Sequence, residues 1–559
     1  MYLFGNRSRL LRALMCVFSL LLVGCNATEE RSDNDTSVDA SAGDADTDTD
    51  TDTDVDADAG CGPDEWICVG NDVHEKSCID GTTALIEECG DDRYCFEGAC
   101  YFEGACGEAE QMKSNIGCEY WAVDLDNYEG NAADQPFVVA VGNVGEEIVN
   151  VKVETRLSDG SYAVVTQQEV PAKDVGVFRL TGEGVTLSPM LSTIAGSYLQ
   201  ERWAYRITSD LPVIAYQFNP YSGLTEENSQ ICSNDASLLI PSSGIDKHYF
   251  ALAYPPNADV AAVNIVATED NTTVSVTPTA PIIGGPGLPG MMAGTTYEIL
   301  MNASDVAQLE SDGDISGTYI EADKPIVVFA GNVLAFVPQS VSYGDHLEQQ
   351  MIPLSKWGME YIAARSKIRS NKQNTENDHY RIIASKDGTV IETEPQIQGF
   401  PVTLNRGEVF QVKHASSFAI KGSEPIMVGQ FIAGSDATGL PSEARKRGDP
   451  SYALLAPVEQ FLKEYVFLAP DKYPFDYVVI THPTNQDIEL DKAPLSSHGD
   501  CEVEEIDADW TVTRCEIGDF THTISSAEPV GITVWGYGVN VSYGYTGGMS
   551  LETINPVVK

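Results

Sequence analysis

The side chains most able to do chemistry sit at Asp345-His346-Leu347-Glu348. On a strand, alternate residues share a face, so His346 and Glu348 would point the same way. A general acid/base pair or a metal site is one reading of that spacing. A hydrogen-bonded cap on the turn that follows at Pro353 is the bland one. Asp345, His346 and Glu348 are therefore the candidate ligand-binding residues. The other histidines are His74, His248, His379, His414, His482, His498 and His522, and none lies in H-E-x-x-H. No G-x-S-x-G or Walker A motif occurs. Gly285-Pro-Gly287-Leu-Pro-Gly290 matches G-x-G-x-x-G formally, but its prolines and the lack of a following helix make it a surface loop. No catalytic residue, no metal site and no cofactor is assigned, and the expectation is a protein that is not an enzyme.

The cysteines carry a different chemistry. Cys61, Cys68, Cys78, Cys89, Cys95 and Cys100 crowd into 40 residues with too little apolar mass for a core of their own. Zinc needs close pairs, typically two residues apart, and none exists here. Disulfides are expected, with 15 connectivities open. Cys106 with Cys118 and Cys501 with Cys515 are further candidate pairs. Cys232 is the candidate unpaired thiol.

The chain has 559 residues, 33 Lys+Arg against 84 Asp+Glu, and a formal charge of −51. That charge repels phosphate backbones and excludes nucleic acid as a partner. Residues 1–24 read as an export signal. Arg7, Arg9 and Arg12 precede an apolar run from Ala13 to Val23 that is too short to span a bilayer. Leu22-Val23-Gly24-Cys25 resembles the lipobox of bacterial lipoproteins. That resemblance implies lipid on Cys25 and, with Asn26 next, anchoring in the outer membrane by several acyl chains. Residues 25–60 follow as an acidic linker. Positions 26–60 hold 13 acidic residues and one Arg, in a Thr-Asp repeat that self-repels and should stay extended. Weak calcium binding there is conceivable, but Asp54 to Gly60 misses the EF-hand spacing. Residues 61–105 form the cysteine-rich module.

Residues 106–559 repeat. Pro212, Pro325, Pro425 and Pro529 each separate an alternating strand and polar turn from a second strand, at intervals of 113, 100 and 104 residues. The reading places each proline at a strand's first residue. Locked to them is a second signature: Pro241-x3-Ile245-x3-Tyr249, Pro353-x3-Trp357-x3-Tyr361 and Pro457-x3-Phe461-x3-Tyr465. A third element reads as a hairpin, Val263–Val276 turning at Asp270-Asn271 and Tyr380–Glu392 turning at Asp387-Gly388. Phe137–Glu154 and Tyr477–Leu490 look like degenerate copies. The fold class is thus all-β: four repeats of about 100 residues, each with five or so antiparallel strands, as tandem β-sandwiches or a propeller-like ring.

Several stretches carry a family resemblance. Gly117-Cys118-Glu119-Tyr120-Trp121 leads into Phe137-Val-Val-Ala-Val141. Ser233-Asn234-Asp235-Ala236-Ser237 runs to Pro241, and Asp345-His346-Leu347-Glu348-Gln349-Gln350 runs to Trp357-Gly358. Together they resemble the IgG Fc-binding protein N-terminal domain family, as found in large cysteine-rich exported proteins of myxobacteria and their relatives. Relatives often carry Cys where Gly344 stands, and the loss of such a partner would explain an odd cysteine. The family name implies immunoglobulin binding, a property assigned to an animal mucosal protein. For this chain the resemblance implies a non-catalytic, extracellular recognition or adhesion domain whose ligand is a protein or polysaccharide. The alternatives are a secreted hydrolase using acidic residues on the β array, or a passive envelope scaffold. Binding predicts an exposed apolar patch, and hydrolysis a cleft with convergent carboxylates.

Overall fold

The computed structural model describes residues 65–557, apart from 70–71, 78–81, 90–92, 97–98, 103, 129–135, 181–195, 222–232, 370–375 and 440–447. The export signal, Cys25, the acidic linker, Cys61, Cys78 and Cys232 lie outside the described residues. The described chain is nearly all antiparallel β, with one α-helix, Ala105–Met112.

A small module opens it. Strands Glu65–Val69, Asp72–Lys76 and Thr83–Glu88 form one sheet, and Arg93–Phe96 pairs with Ala99–Phe102. Disulfides Cys68–Cys95 and Cys89–Cys100 tie the sheet to the hairpin. Cys106–Cys118 then pins the helix to the first strand of the repeat region.

Four units follow, spanning 117–238, 246–350, 360–454 and 462–546. Each has seven principal strands rather than the expected five, because strands as short as Val402–Leu404 are too brief to read from sequence. One strand organises each unit: Tyr205–Asn219, Tyr319–Ala335, Phe418–Gly422 continuing as Ile426–Ile432, and Phe520–Tyr537. Its first half belongs to an outer half-sheet and its second half to an inner one. In the first unit the outer order is Gly117–Ala122, Tyr205–Ser209, Val149–Arg156, Tyr162–Val170. The inner order is Val175–Arg179, Val138–Asn143, Val213–Phe218, Asp235–Leu238. The other three units repeat this order.

The prolines mark the crossing. They do not begin strands. Each sits between the two half-sheets, where the ladder changes partners: after Ser209 and before Val213, after Ala322 and before Ile326, after Gly422 and before Ile426, after Ser526 and before Val530. A residue without an N–H suits a gap in the ladder. The register beyond the gap is the same in all four units. The residue four past each proline, namely Tyr216, Phe329, Gly429 and Thr533, faces Leu238, Gln350, Leu454 and Thr546.

The supposed hairpins are a second correction. Ala261–Ala267 and Thr272–Thr277 do not pair with each other. Both run antiparallel to Tyr319–Ala335, one along each half, so the segment is a single bent strand beside another. Asp270-Asn271 is the bend, with Asn271 at φ 56°, and Gly388 holds the matching bend at φ 73°. The bend lies opposite the proline crossing, where Thr268 Oγ1 donates to the Pro325 carbonyl at 2.7 Å. A turn that reverses a chain and one that only bends it need the same residues, so the sequence reads alike for both.

Burial explains the two half-sheets. Val138–Asn143, Ala261–Ala267 and Asp378–Ala384 are buried along their whole length, the first two as mainly apolar runs and the third with Asp378, His379 and Arg381 buried among its apolar residues. Val149–Arg156 and Thr389–Glu394 alternate buried and exposed, as the solvent-facing half-sheet demands. The cores also interlock between units. Phe329 of the second unit joins the core of the first, and Phe431 and Tyr452 of the third join that of the second. Ile432 packs with Trp535 of the fourth, and Tyr216 and Phe218 of the first pack with Val534. The four sandwiches therefore close on themselves. The two architectures weighed from sequence are combined: sandwich-type units, arranged as a ring.

Candidate functional site

The last strand of each unit lies at the centre of that ring. Asp235–Leu238 neighbours Asp345–Gln350, which neighbours Ser451–Leu454; Ser542–Thr546 lies between that strand and the first. Asp345, His346 and Glu348 are here, with exposures of 0%, 2% and 0%. They do not cap the Pro353 turn. They form part of a polar axis to which all four units contribute.

Two aspartates cross-link it. Asp235 Oδ2 accepts the Glu348 N–H at 3.1 Å, and its Oδ1 accepts from Ser451 Oγ at 2.8 Å. Asp345 Oδ1 accepts the Asn234 N–H at 2.5 Å, and its Oδ2 accepts the Ser542 N–H at 3.3 Å. The two N–H groups of Gln349 Nε2 are shared among the carbonyls of Ala236, Tyr452 and Gly544, at 2.8, 2.7 and 2.9 Å. Each of these side chains bridges to two or three other units.

Electrostatics follow from burial. Desolvation holds the Asp235, Asp345 and Glu348 carboxyls well above the usual range, and Asp449 adds to the effect on Asp345. Burial likewise lifts Asp449 to about 6 and lowers His346 to about 4. His346 Nε2 lies 3.4 Å from Glu348 Oε2. Burial disfavours the charged form of both groups, which works against an ion pair here. Convergent carboxyls of perturbed pKa are therefore present, but they are enclosed among strands and spent on joining units. Among the described residues no group of three or more His, Cys, Asp or Glu could hold a metal ion.

Asp449, Ser451 and Ser542 were not singled out from sequence. The proline period could have found them, since Asp235, Asp345 and Asp449 follow their prolines by 23, 20 and 24 residues.

A second repeated device fixes the crossings. Tyr249, Tyr361 and Tyr465, the tyrosines of the linker signature, are buried and donate their hydroxyls to the carbonyls of Ile326, Ile426 and Val530. Each acceptor is the residue just past a proline. Tyr120 does the same to Val213 in the first unit, a fourth copy without the preceding proline signature. Cys501 and Cys515 are bonded, holding the strand Glu502–Glu505 against Trp510–Ile517.

Two polar depressions lie on the surface of the described residues, among others. One, of 530 Å³, lies on the first unit and includes Asn150, Lys152, Gln167, Glu169, Thr208 and Asp210. The other, of 340 Å³, lies where the first two units meet, beside the bidentate Arg156–Asp270 pair. Exposed apolar side chains on the units are scattered, among them Ile148, Val164, Leu300 and Phe520.

Comparison with known proteins points the same way as the sequence motifs. A family model described as IgGFc binding protein matches residues 235–536, just over half of the chain. The match runs from the axial strand of the first unit to the long strand of the fourth. A human protein named IgGFc-binding protein is 26% identical over 208 residues, which is 37% of this chain and 4% of that protein. The chain thus aligns with a small part of that curated relative. No solved structure matches. By the extent of the family match, this chain belongs to the IgGFc binding protein family.

Proposed function

We propose that this chain is a non-catalytic, extracellular recognition and adhesion protein, anchored to the outer membrane by lipid on Cys25 and lifted from it by the acidic linker. The family points to binding of an extracellular protein. The observation that carries the reading is the fate of the axial carboxyls. The groups best suited to acid/base chemistry are buried and hydrogen-bonded between units, which leaves the outer surfaces as the working part. Among the described residues no helix is long and apolar enough to cross a membrane, so an acyl anchor suits the attachment. The immunoglobulin Fc fragment is the first ligand to test, because it is what the human relative's name says that protein binds.

The experiment is a pull-down with the purified chain against Fc fragment, envelope fractions and matrix polysaccharide, with polymer hydrolysis assayed in parallel. Saturable capture of one component without turnover is expected. Turnover of a polymer with no retained partner overturns the reading. Cys25→Ser is expected to move the protein from the membrane fraction to the soluble one.

A further inference from the structure

The inner half-sheets of the four units do not all end alike. In the second unit a fifth strand, Tyr198–Gln200, is supplied by the first unit and runs antiparallel to Val306–Ser311. In the fourth unit Glu502–Glu505 is added in the same way to Trp510–Ile517 and is tied on by Cys501–Cys515. In the third unit Val409–His414 is the last strand described, with only Asp378–Ala384 beside it. The proline register aligns these three edges. The residue three past the proline, Val328, Val428 or Ile532, leads across one strand to Ala307, Phe410 or Thr513. Opposite Ala307 and Thr513 the added strands place Leu199 and Val503, both aliphatic. Opposite Phe410, on the side away from Ile382, no described residue pairs.

The backbone differs accordingly. Ala384 N–H donates to the Glu408 carbonyl at 3.3 Å, so by alternation Phe410, Val412 and His414 bond inward. Val409, Gln411 and Lys413 turn their N–H and C=O groups outward, and no described residue bonds them. Their counterparts in the second unit, Val306, Gln308 and Glu310, lie on a strand buried along its whole length. There Gln200 and Tyr198 face the first two, and Ser197 Oγ accepts the Glu310 N–H at 2.9 Å. In the third unit Gln411 and Lys413 are exposed, and Phe410 and Val412 are half-buried. Gln411 also matches Gln308 in type, whose Oε1 accepts the Tyr198 hydroxyl at 3.0 Å. An open strand edge is a template for a further strand. Two copies of a chain of formal charge −51 repel each other, which favours a different polypeptide. We propose that Val409–His414 takes up an extended segment of a separate protein, antiparallel, with an aliphatic residue set opposite Phe410. This rests on the reading of the chain as a binder of protein and gives that binding a place and a mode.

The test uses the full chain and a synthetic peptide of residues 197–203, which contains the strand that the second unit takes up. Saturable binding is expected, with slowed hydrogen exchange at 409–414. In the register of the second unit Tyr198 and Gln200 turn their N–H groups to the edge, and Leu199 turns its own away. N-methylation at Tyr198 and Gln200 should therefore weaken binding at least about tenfold, and N-methylation at Leu199 by less than about twofold. Gln411→Pro removes an outward N–H, spares the ladder to Asp378–Ala384 and should also cost about tenfold. Exchange in the parent chain keeps the test decisive if that variant does not fold. Four results would each overturn the inference: no binding, equal loss from the two N-methylations, protection at 175–179 in place of 409–414, or self-association of the chain that Gln411→Pro abolishes. A protein captured in the pull-down and held equally well by Gln411→Pro would overturn it too, and would leave the proposed function standing.

Discussion

Gln349 donates from its side-chain amide to the backbone carbonyl of Gly544, 2.9 Å away across the axis and 195 positions along the chain. The same nitrogen serves the carbonyls of Ala236 and Tyr452, so one side chain of the second unit touches the other three. Closure of the ring is completed at its ends. Asn115 N–H donates to the Met549 carbonyl, Leu551 N–H donates to that of Lys113, and Ser114 bridges Ser550. A ring whose first and last segments are stitched together has no free terminal unit to fray, which suits a recognition surface that must keep its shape.

Gln349→Leu should therefore destabilise far more than a typical polar-to-apolar change. The leucine keeps the volume but removes two N–H donors that three buried carbonyls share. Each unsatisfied group costs about 1–3 kcal/mol, partly recovered by relaxation, so a net loss of about 2–4 kcal/mol is expected. Denaturant unfolding of the parent and the variant measures it. A loss within error of zero would mean that the axis does not hold the ring.

The tyrosines make a repeat-wise prediction. Tyr120, Tyr249, Tyr361 and Tyr465 all donate to the residue just past a proline. Changing each in turn to Phe removes one hydroxyl and leaves a buried carbonyl. The expected cost is about 1 kcal/mol or somewhat more at each site, similar across the four. The exposed Tyr343 changed to Phe should cost nothing. Thermal melts of the five variants would show four alike and one at the parent value.

These relationships were unequally legible. The prolines and the Pro-x3-aromatic-x3-Tyr linkers stand out because they are local, and their spacing alone places four units. The strand number was too low because segments such as Ile488–Leu490 are only three residues long. The bends at Asp270-Asn271 and Asp387-Gly388 were read as hairpin reversals, since turn chemistry does not reveal where the next strand pairs. The axis left only the loose recurrence of an aspartate 20 to 24 residues past three of the prolines. Its register positions hold Leu238, Gln350, Leu454 and Thr546, apolar in two units and polar in the other two, because each fits a different neighbour across the ring. Asp345-His346-Leu347-Glu348 looked like chemistry for that reason: polar residues closing a ring and polar residues of an active site share the same composition.

Gly331 tests the register directly. It sits six residues past Pro325 and opposite Glu348, and a Cβ built there would lie 1.7 Å from the Leu347 carbonyl oxygen. That obstacle is backbone of the axial strand, which cannot rotate aside. Gly331→Ala should cost more than about 3 kcal/mol, or separate the axial strand from its neighbour. Gly499→Ala, where nothing lies within 4 Å, is the control expected to leave stability unchanged. Hydrogen exchange at the 345–350 amides would report whether the loss is local or spreads round the ring.

Asp476 gives one address for the pH dependence, apart from the raised carboxyls of the axis. It is 3% exposed, and burial raises its carboxyl to about 8, with Asp519 and Glu516 adding to the effect. The Tyr543 hydroxyl donates to its Oδ1 at 2.7 Å. An unfolded aspartate titrates near 3.9. Between these values the folded state keeps a proton that the unfolded state gives up. The stability contributed is full below about pH 4 and is lost as pH rises toward 8. Asp476→Asn keeps an acceptor for Tyr543 and removes the titration. Its stability relative to the parent should thus rise with pH, by on the order of 4 kcal/mol from pH 4 to pH 7. Taking the difference cancels the opposing groups common to both proteins, such as Glu504, lowered by Arg514 despite its burial, and His379, lowered to about 4 by burial. Parallel denaturation curves at pH 5 and pH 8 decide it. A difference that does not change with pH would show that Asp476 is ionised in the folded protein.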